Sequence, residues 1–257
     1  MYRFSSALVA QGEICGEAPQ WCFHILRDLE SRLAGDSVFP CVFSKNAFKK
    51  KLLRFVFVET FDPQGIHHLA DGLKQYVELS RQWDGTLDTA YPLVVAFSQS
   101  VIRADSVAAY HAFGWQVLQT LHDIDPAPWP DDVGQDPDAA DWSMCFNGMP
   151  LFCNMSNPAH QGRRSRNLGD HFILVINPRE RFDAFAGDTP SGRKVRAQIR
   201  QRVERYDGQA HAPQLGFFGT GGSEWWQYGL LDDNRERFDQ CPFLVRMARA
   251  ASTTSDG

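Results

Sequence analysis

The chain has 257 residues, 43% of them apolar and 22% charged, with a net charge of −5. That length and mix suit one large globular domain, or two small ones, with a substantial core. The acidic balance argues against a nucleic-acid partner, because phosphate binding is driven by a cationic surface. No apolar run is long enough to span a membrane, and the N-terminus lacks a basic start followed by an apolar core, so neither a membrane partner nor a secretory leader is expected.

In chain order, a first helix is predicted from Pro19 to Leu33, because Trp21, Ile25, Leu29 and Leu33 recur every four residues. Phe39-Pro40-Cys41-Val42-Phe43 reads as a short buried strand or turn, followed by a basic stretch from Lys45 to Lys51 and a strand from Leu52 to Glu59. Ile66 to Trp83 reads as a helix and Pro92 to Ser98 as a central strand. Asp105 or Ser106 can cap a helix ending near His122. Asp125 to Asp141, with four prolines, reads as a structured loop that buries Trp129. Trp142–Gly148 and Pro150–Ser156 form a hairpin about the Asn147-Gly148 turn.

His171 to Asn177 is another strand, and Pro190 to Tyr206 a helix with Val195, Ile199 and Val203 on its inner face. The glycine- and aromatic-rich segment from Leu215 to Leu231 is expected to end in a strand. The small polar tail, residues 250–257, is expected to be disordered. With no repeat and no boundary-like linker except the proline loop, residues 1–249 read as a single α+β domain, a largely antiparallel sheet with flanking helices. Six cysteines without a C-x-x-C pair point to reduced thiols and a cytoplasmic location.

Arginine is unevenly placed: ten of the 20 fall between Arg163 and Arg205, where Lys194 is the one lysine. Planar guanidinium forks suit carboxylates and phosphates, so the cluster points to a small anion. For the helical arginines the plain alternative is a solvated face with ion pairs. Arg163, Arg166 and Arg179 sit in a loop and at strand ends, where functional side chains concentrate. His160 stands among them after Asn157-Pro158-Ala159, and is a candidate axial ligand beside carboxylate-binding arginines. The bland alternative is a hydrogen-bonded loop histidine.

Three further candidates stand out. His111, Trp115, Leu118 and His122 share a narrow helical arc, which core packing alone would also explain. Cys41 could supply a thiolate to iron, or be an inert buried thiol. Glu224, before Trp225-Trp226, joins a carboxylate to aromatic planes, as holding a guanidinium requires, although Gly219–Gly222 could be only a flexible turn. Asp207 is the other anion of interest. No phosphate-binding glycine fingerprint, H-E-x-x-H or G-x-S-x-G is present.

Several blocks resemble the YqcI/YcgG family: Phe39-Pro40-Cys41-Val42-Phe43; Trp115 through His122-Asp123 and Trp129-Pro130; Asp141-Trp142 through Phe152; Asn157-Pro158-Ala159-His160 with Arg163 and Arg166; Asn177-Pro178-Arg179 with Phe182-Asp183; Ile199-Arg200 with Tyr206-Asp207; and Trp225 through Tyr228. The resemblance implies haem (protohaem IX with its iron) and a haem-dependent N-oxygenase that hydroxylates a guanidine nitrogen of arginine or an arginine-derived small molecule. It further implies a small guanidine substrate and, because no reductase domain is present, an external electron donor or peroxide. His160 is the expected iron ligand, with Cys41 and His122 as fallbacks. Arg163, Arg166 and Arg179 are expected near the propionates, Trp115 beside the cofactor, and Glu224 with Trp225 on the substrate. The alternatives are a non-catalytic haem sensor or carrier, and a haem-free anion- or partner-binding protein using the 163–205 arginines.

Overall fold

A computed structural model describes residues 4–16, 18–216 and 222–246. The tail at 250–257 and the glycines at 219–221 lie outside the described residues.

Six strands form one sheet in the order β1-β2-β3-β6-β5-β4: β1 (Val9–Ala10), β2 (Arg54–Val58), β3 (Leu93–Phe97), β4 (Met144–Phe146), β5 (Met149–Ser156) and β6 (Phe172–Pro178). β2 and β3 pair in parallel and every other neighbour is antiparallel. The fold is α+β, as expected. β2, β3 and β6 are nearly unbroken apolar runs because both faces of the sheet are covered.

Alternation within the strands builds two cores. Val56, Val58, Val95, Phe97 and Leu174 face α3 (Pro63–Ser80) and α4 (Val107–Asp123), which contribute Leu69, Leu73, Tyr76, Leu118 and Leu121. Phe55, Phe57, Val94, Ala96 and Ile173 face α1 (Gln20–Leu33) through Cys22, Ile25, Leu29 and Leu33. A residue that faces one core has neighbours that face the other, so a slip of one residue would invert both.

Local chemistry sets the element ends. Asp62 and Ser106 cap α3 and α4 by accepting from the N–H groups of Gly65 at 2.9 Å and Ala109 at 3.2 Å. The hairpin between β4 and β5 turns through Asn147 and Gly148, both at positive φ (49° and 69°), the pair a tight turn of this hand prefers.

Two expectations are corrected. The block Phe39–Phe43 is not a strand: Cys41 is the N-cap of a helix, α2 (Val42–Lys49), which takes up most of the basic stretch. Pro40 fixes its own φ and restricts the residue before it, and neither constraint reaches Val42, where the helix starts. The segment from Leu215 does not end in a strand either; it forms the short helix α7 (Trp225–Tyr228). There the Tyr228 hydroxyl oxygen reaches the hairpin, accepting from the Met144 backbone N–H of β4 at 3.1 Å and lying 2.9 Å from the Leu151 carbonyl of β5. Two elements were not anticipated, β1 and the helix α5 (Arg179–Ala186), which follows β6 directly and precedes α6 (Pro190–Asp207).

Candidate active site

The loop between β5 and β6 carries His160, Arg163 and Arg166, and two distant aspartates hold it. Asp232 accepts from the backbone N–H groups of Gly162 at 3.0 Å and Arg163 at 2.9 Å, and from His160 Nδ1 at 3.0 Å. Asp207, at the end of α6, accepts from the Ser165 amide at 2.7 Å and hydroxyl at 2.8 Å. Carboxylates bound by several N–H groups are strongly oriented, so the three functional candidates are fixed in a rigid loop.

Arg163 and Arg166 line a pocket of about 260 Å³ on the α1 side of the sheet. Cys41 lines it too, with a mostly apolar surround that includes Leu33, Phe39, Ile199, Val203 and Leu230. Ile199 and Val203, the predicted inner face of α6, are only half-buried here: the helix turns its apolar side towards the pocket and not into a filled core. Arg163 is fully buried, and its Nη1 has no hydrogen-bond partner; the nearest carboxylate oxygen, of Asp207, is 3.9 Å away. Burial also pulls the Arg166 guanidinium down to about 9, with Arg163 adding repulsion. The rest of the Arg163 guanidinium is held by the protein, through Nε to the Leu231 carbonyl at 2.7 Å and Nη2 to Asn234 Oδ1 at 2.7 Å, while Arg166 Nη1 donates to the Tyr228 carbonyl at 3.3 Å, so Arg163 Nη1 is the donor left open towards an anion. Cys41 is the N-cap residue of α2, at the positive end of that helix.

His160 does not line this pocket. Its ring lies 5.8 Å from that of His111 on α4. An ionised carboxylate only accepts, so Nδ1 carries the proton towards Asp232 and Nε2 is left as an acceptor. That Nε2 is buried without a partner, as is Nε2 of His111. Burial depresses both imidazoles, His160 to about 4 and His111 to about 3, and keeps them neutral.

Arg179 stands apart from Arg163 and Arg166. Its Nε meets Glu224 Oε2 at 2.8 Å, and the other Glu224 oxygen accepts from the hydroxyls of Ser143 at 2.8 Å and Tyr228 at 2.9 Å. Glu224 therefore faces an internal guanidinium; burial raises its carboxyl above the usual range while Arg179 opposes that shift. Arg179 and Ser143 line a second pocket, of about 370 Å³, with Asp132, Asp141, Glu180 and Asp183. Trp115 stacks on Tyr228 at 5.9 Å and meets Trp225 edge-on at 6.0 Å, so these aromatic candidates form the wall behind Glu224. Trp225 also donates to Asp138 at 2.9 Å.

His122 lies with neither group. Its Nε2 accepts the Arg246 backbone N–H at 2.8 Å, between Trp129 and Phe243, which ties down the C-terminal segment. The arginines of α6 follow their plain alternative: Arg193 pairs with Asp188 at 2.7 Å and Arg200 donates to the Leu215 carbonyl at 2.6 Å. Sequence reasoning gave no role to Asp232 or Tyr228. Asp232 and its loop partners are about 70 residues apart, and no spacing rule links them.

The YqcI/YcgG family profile matches residues 29–244. DcsA of Streptomyces lavendulae, provisionally named an N(omega)-hydroxy-L-arginine synthase, is 63% identical over 244 residues, covering 95% of this chain and 92% of DcsA. YqcI and YcgG of Bacillus subtilis (strain 168), both named as uncharacterized, are each 35% identical across 88% of this chain and 89% of their own length. No solved structure matches the chain. Among the described residues, no helix is long and apolar enough to cross a membrane.

Proposed function

The chain belongs to the YqcI/YcgG family, and from that premise we propose that it is a haem-dependent N-hydroxylase acting on the guanidine of arginine or a close derivative. The substrate class rests on the name of DcsA, whose length the chain covers almost fully. The single observation that carries the haem reading is the pocket that gathers a cysteine at a helix N-terminus, apolar walls and two buried arginines.

The residues present fit the group. The partnerless Nη1 of Arg163 and the depressed Arg166 would gain from the carboxylates of a porphyrin. Leu33, Phe39, Ile199 and Val203 would cover its apolar faces. Cys41 is the iron ligand this arrangement favours; His160 lines no part of the pocket and its ring is packed near His111. At about 260 Å³ the pocket is well short of the volume of a porphyrin, so seating the macrocycle requires the half-buried inner face of α6 to part from the sheet. When bound, haem supplies the oxidising chemistry that places oxygen on nitrogen.

The protein's own residues supply binding and orientation. Arg179, which also pairs with Asp183 at 3.4 Å, offers a cation for the α-carboxylate of an amino acid, and Asp132 and Asp141 offer anions for its cationic groups. Glu224 acts through Arg179, holding it in place over that pocket while Ser143 and Tyr228 hold Glu224. The six free thiols and the absence of a disulfide among the described residues accord with work in a reducing cytoplasm.

The test is the optical spectrum of the purified protein expressed with haem precursor, with and without arginine, followed by product analysis. A Soret band that moves on adding arginine, with N-hydroxyarginine formed, is the expected result. A Soret band indifferent to arginine, with no product, would favour a haem sensor or carrier. No Soret band after haemin titration would sink the reading and leave a haem-free anion-binding protein.

A further inference from the structure

Lysine is rare in this chain, yet four of its six lysines fall between Lys45 and Lys51. They decorate α2 and its C-terminal end, while the arginines are elsewhere. Lys45, Lys49 and Lys51 rim a groove of about 620 Å³ whose floor includes Ile14, Leu26 and Phe48. Of the four, Lys50 alone makes an ion pair among the described residues, with Asp88 at 2.5 Å. Lys49 and Lys51 are exposed. Among the described residues Glu30 is the one carboxylate lining the groove, against three lysines, so the local charge of that lining opposes the net −5 of the chain. Val38 and Val42, on the chain leading into and beginning α2, are 78% and 39% exposed.

Two features tie this groove to the Cys41 pocket. Both are lined by Leu33, so they share a wall. Cys41 also caps the helix that bears the lysines, and at 1.5 Å per residue Lys45 and Lys49 lie roughly 6 and 12 Å along the axis from it. An apolar floor with a cationic rim beside a buried redox site is the surface a transient electron-transfer partner requires. Lysines suit it better than arginines do, being well-hydrated point charges that steer an encounter without locking it.

We propose that this groove docks a small acidic one-electron carrier protein, of the iron–sulfur or flavin class, that reduces haem in the adjoining pocket; the proposal rests on the haem reading above. The electrons balance: hydroxylating one guanidine N–H with dioxygen consumes two electrons and two protons and releases one water. The carrier delivers the electrons in two encounters and is oxidised by one electron at each.

The test uses the haem-loaded protein, a plant-type [2Fe–2S] ferredoxin kept reduced by its reductase, and stopped-flow absorbance of the Soret band under carbon monoxide. Lys49→Glu/Lys51→Glu should slow ferredoxin-driven reduction about tenfold or more and remove its salt dependence, while dithionite reduces variant and wild type alike. Should the double Glu variant unfold, Lys49→Gln/Lys51→Gln is read the same way, with a smaller slowing. Equal ferredoxin rates in wild type and variant, in a protein with a normal Soret band, would overturn the docking surface alone. Absence of a Soret band would remove the haem reading, and this proposal with it.

Discussion

Glu224 and Arg179 form a buried ion pair, with Arg179 Nε 2.8 Å from Glu224 Oε2, and two hydroxyls satisfy the other carboxylate oxygen. Neither side chain is more than 8% exposed. Breaking such a pair leaves one charge buried and uncompensated, which costs about 3–5 kcal/mol. Glu224→Gln keeps the shape and the hydroxyl partners but removes the nearer of two carboxylates on Arg179, leaving Asp183 at 3.4 Å to offset it in part. We expect a fall in stability of that order or somewhat less in urea unfolding, with a higher KM for arginine and an unchanged Soret band. A stable variant with wild-type KM would remove the pair from the substrate site.

Arg166 is a different case, because its charge is buried with little compensation. Arg166→Gln should leave the thermal stability of the haem-free protein unchanged or slightly raised. Haemin affinity should fall about tenfold or more, the loss of one charge-assisted hydrogen bond. A haemin titration of variant and wild type checks this, and equal affinities would exclude Arg166 from the anion site.

His160 and His111 make stability depend on pH. Both have folded pKa values depressed from 6.5, to about 4 and about 3, so below 6.5 the unfolded chain binds protons that the folded one does not. Stability contributed by the neutral pair is therefore fully present above about pH 6.5 and is lost as pH falls towards 4 and then 3. The full loss is on the order of 3 kcal/mol for His160 and 5 kcal/mol for His111. Urea midpoints measured from pH 7 to 4 should fall steeply in wild type and less steeply in His111→Gln. Parallel slopes would contradict the neutral, buried assignment.

Reducing the size of the α6 inner face tests whether it covers a ligand. Val203→Ala should destabilise the haem-free protein by about 1 kcal/mol or less, since Val203 is only half-buried. Its effect on haemin affinity should be larger than its effect on thermal melting. The same loss in both would mean that Val203 packs only against protein.

Much of the scaffold was legible. The Pro92–Ser98 run and the Asn147-Gly148 turn carry their own local signals, period and turn chemistry, and both stand as expected. The block at Cys41 was not, because β-branched and aromatic Val42 and Phe43 favour a strand locally and only packing selects a helix. The glycines before Trp225 likewise hid α7, whose position is set by Tyr228 reaching β5. For the site, the sequence brought out the right residue types but not their grouping. Cys41 meets Arg163 and Arg166 across more than a hundred residues, and Glu224 meets Arg179 in place of a substrate, through contacts that no periodicity encodes. His160 drew attention by its arginine neighbours, yet its closest partner is Asp232.

The most direct test of the central claim is the ferrous carbonyl spectrum of the haem-loaded wild type, Cys41→Ser and His160→Ala. Thiolate ligation pushes electron density onto the iron and gives a strongly red-shifted Soret band. We expect that band in wild type and in His160→Ala, and its loss in Cys41→Ser with Arg163 and Arg166 intact. A wild-type spectrum in Cys41→Ser, with the change appearing in His160→Ala, would contradict the Cys41 pocket as the haem site.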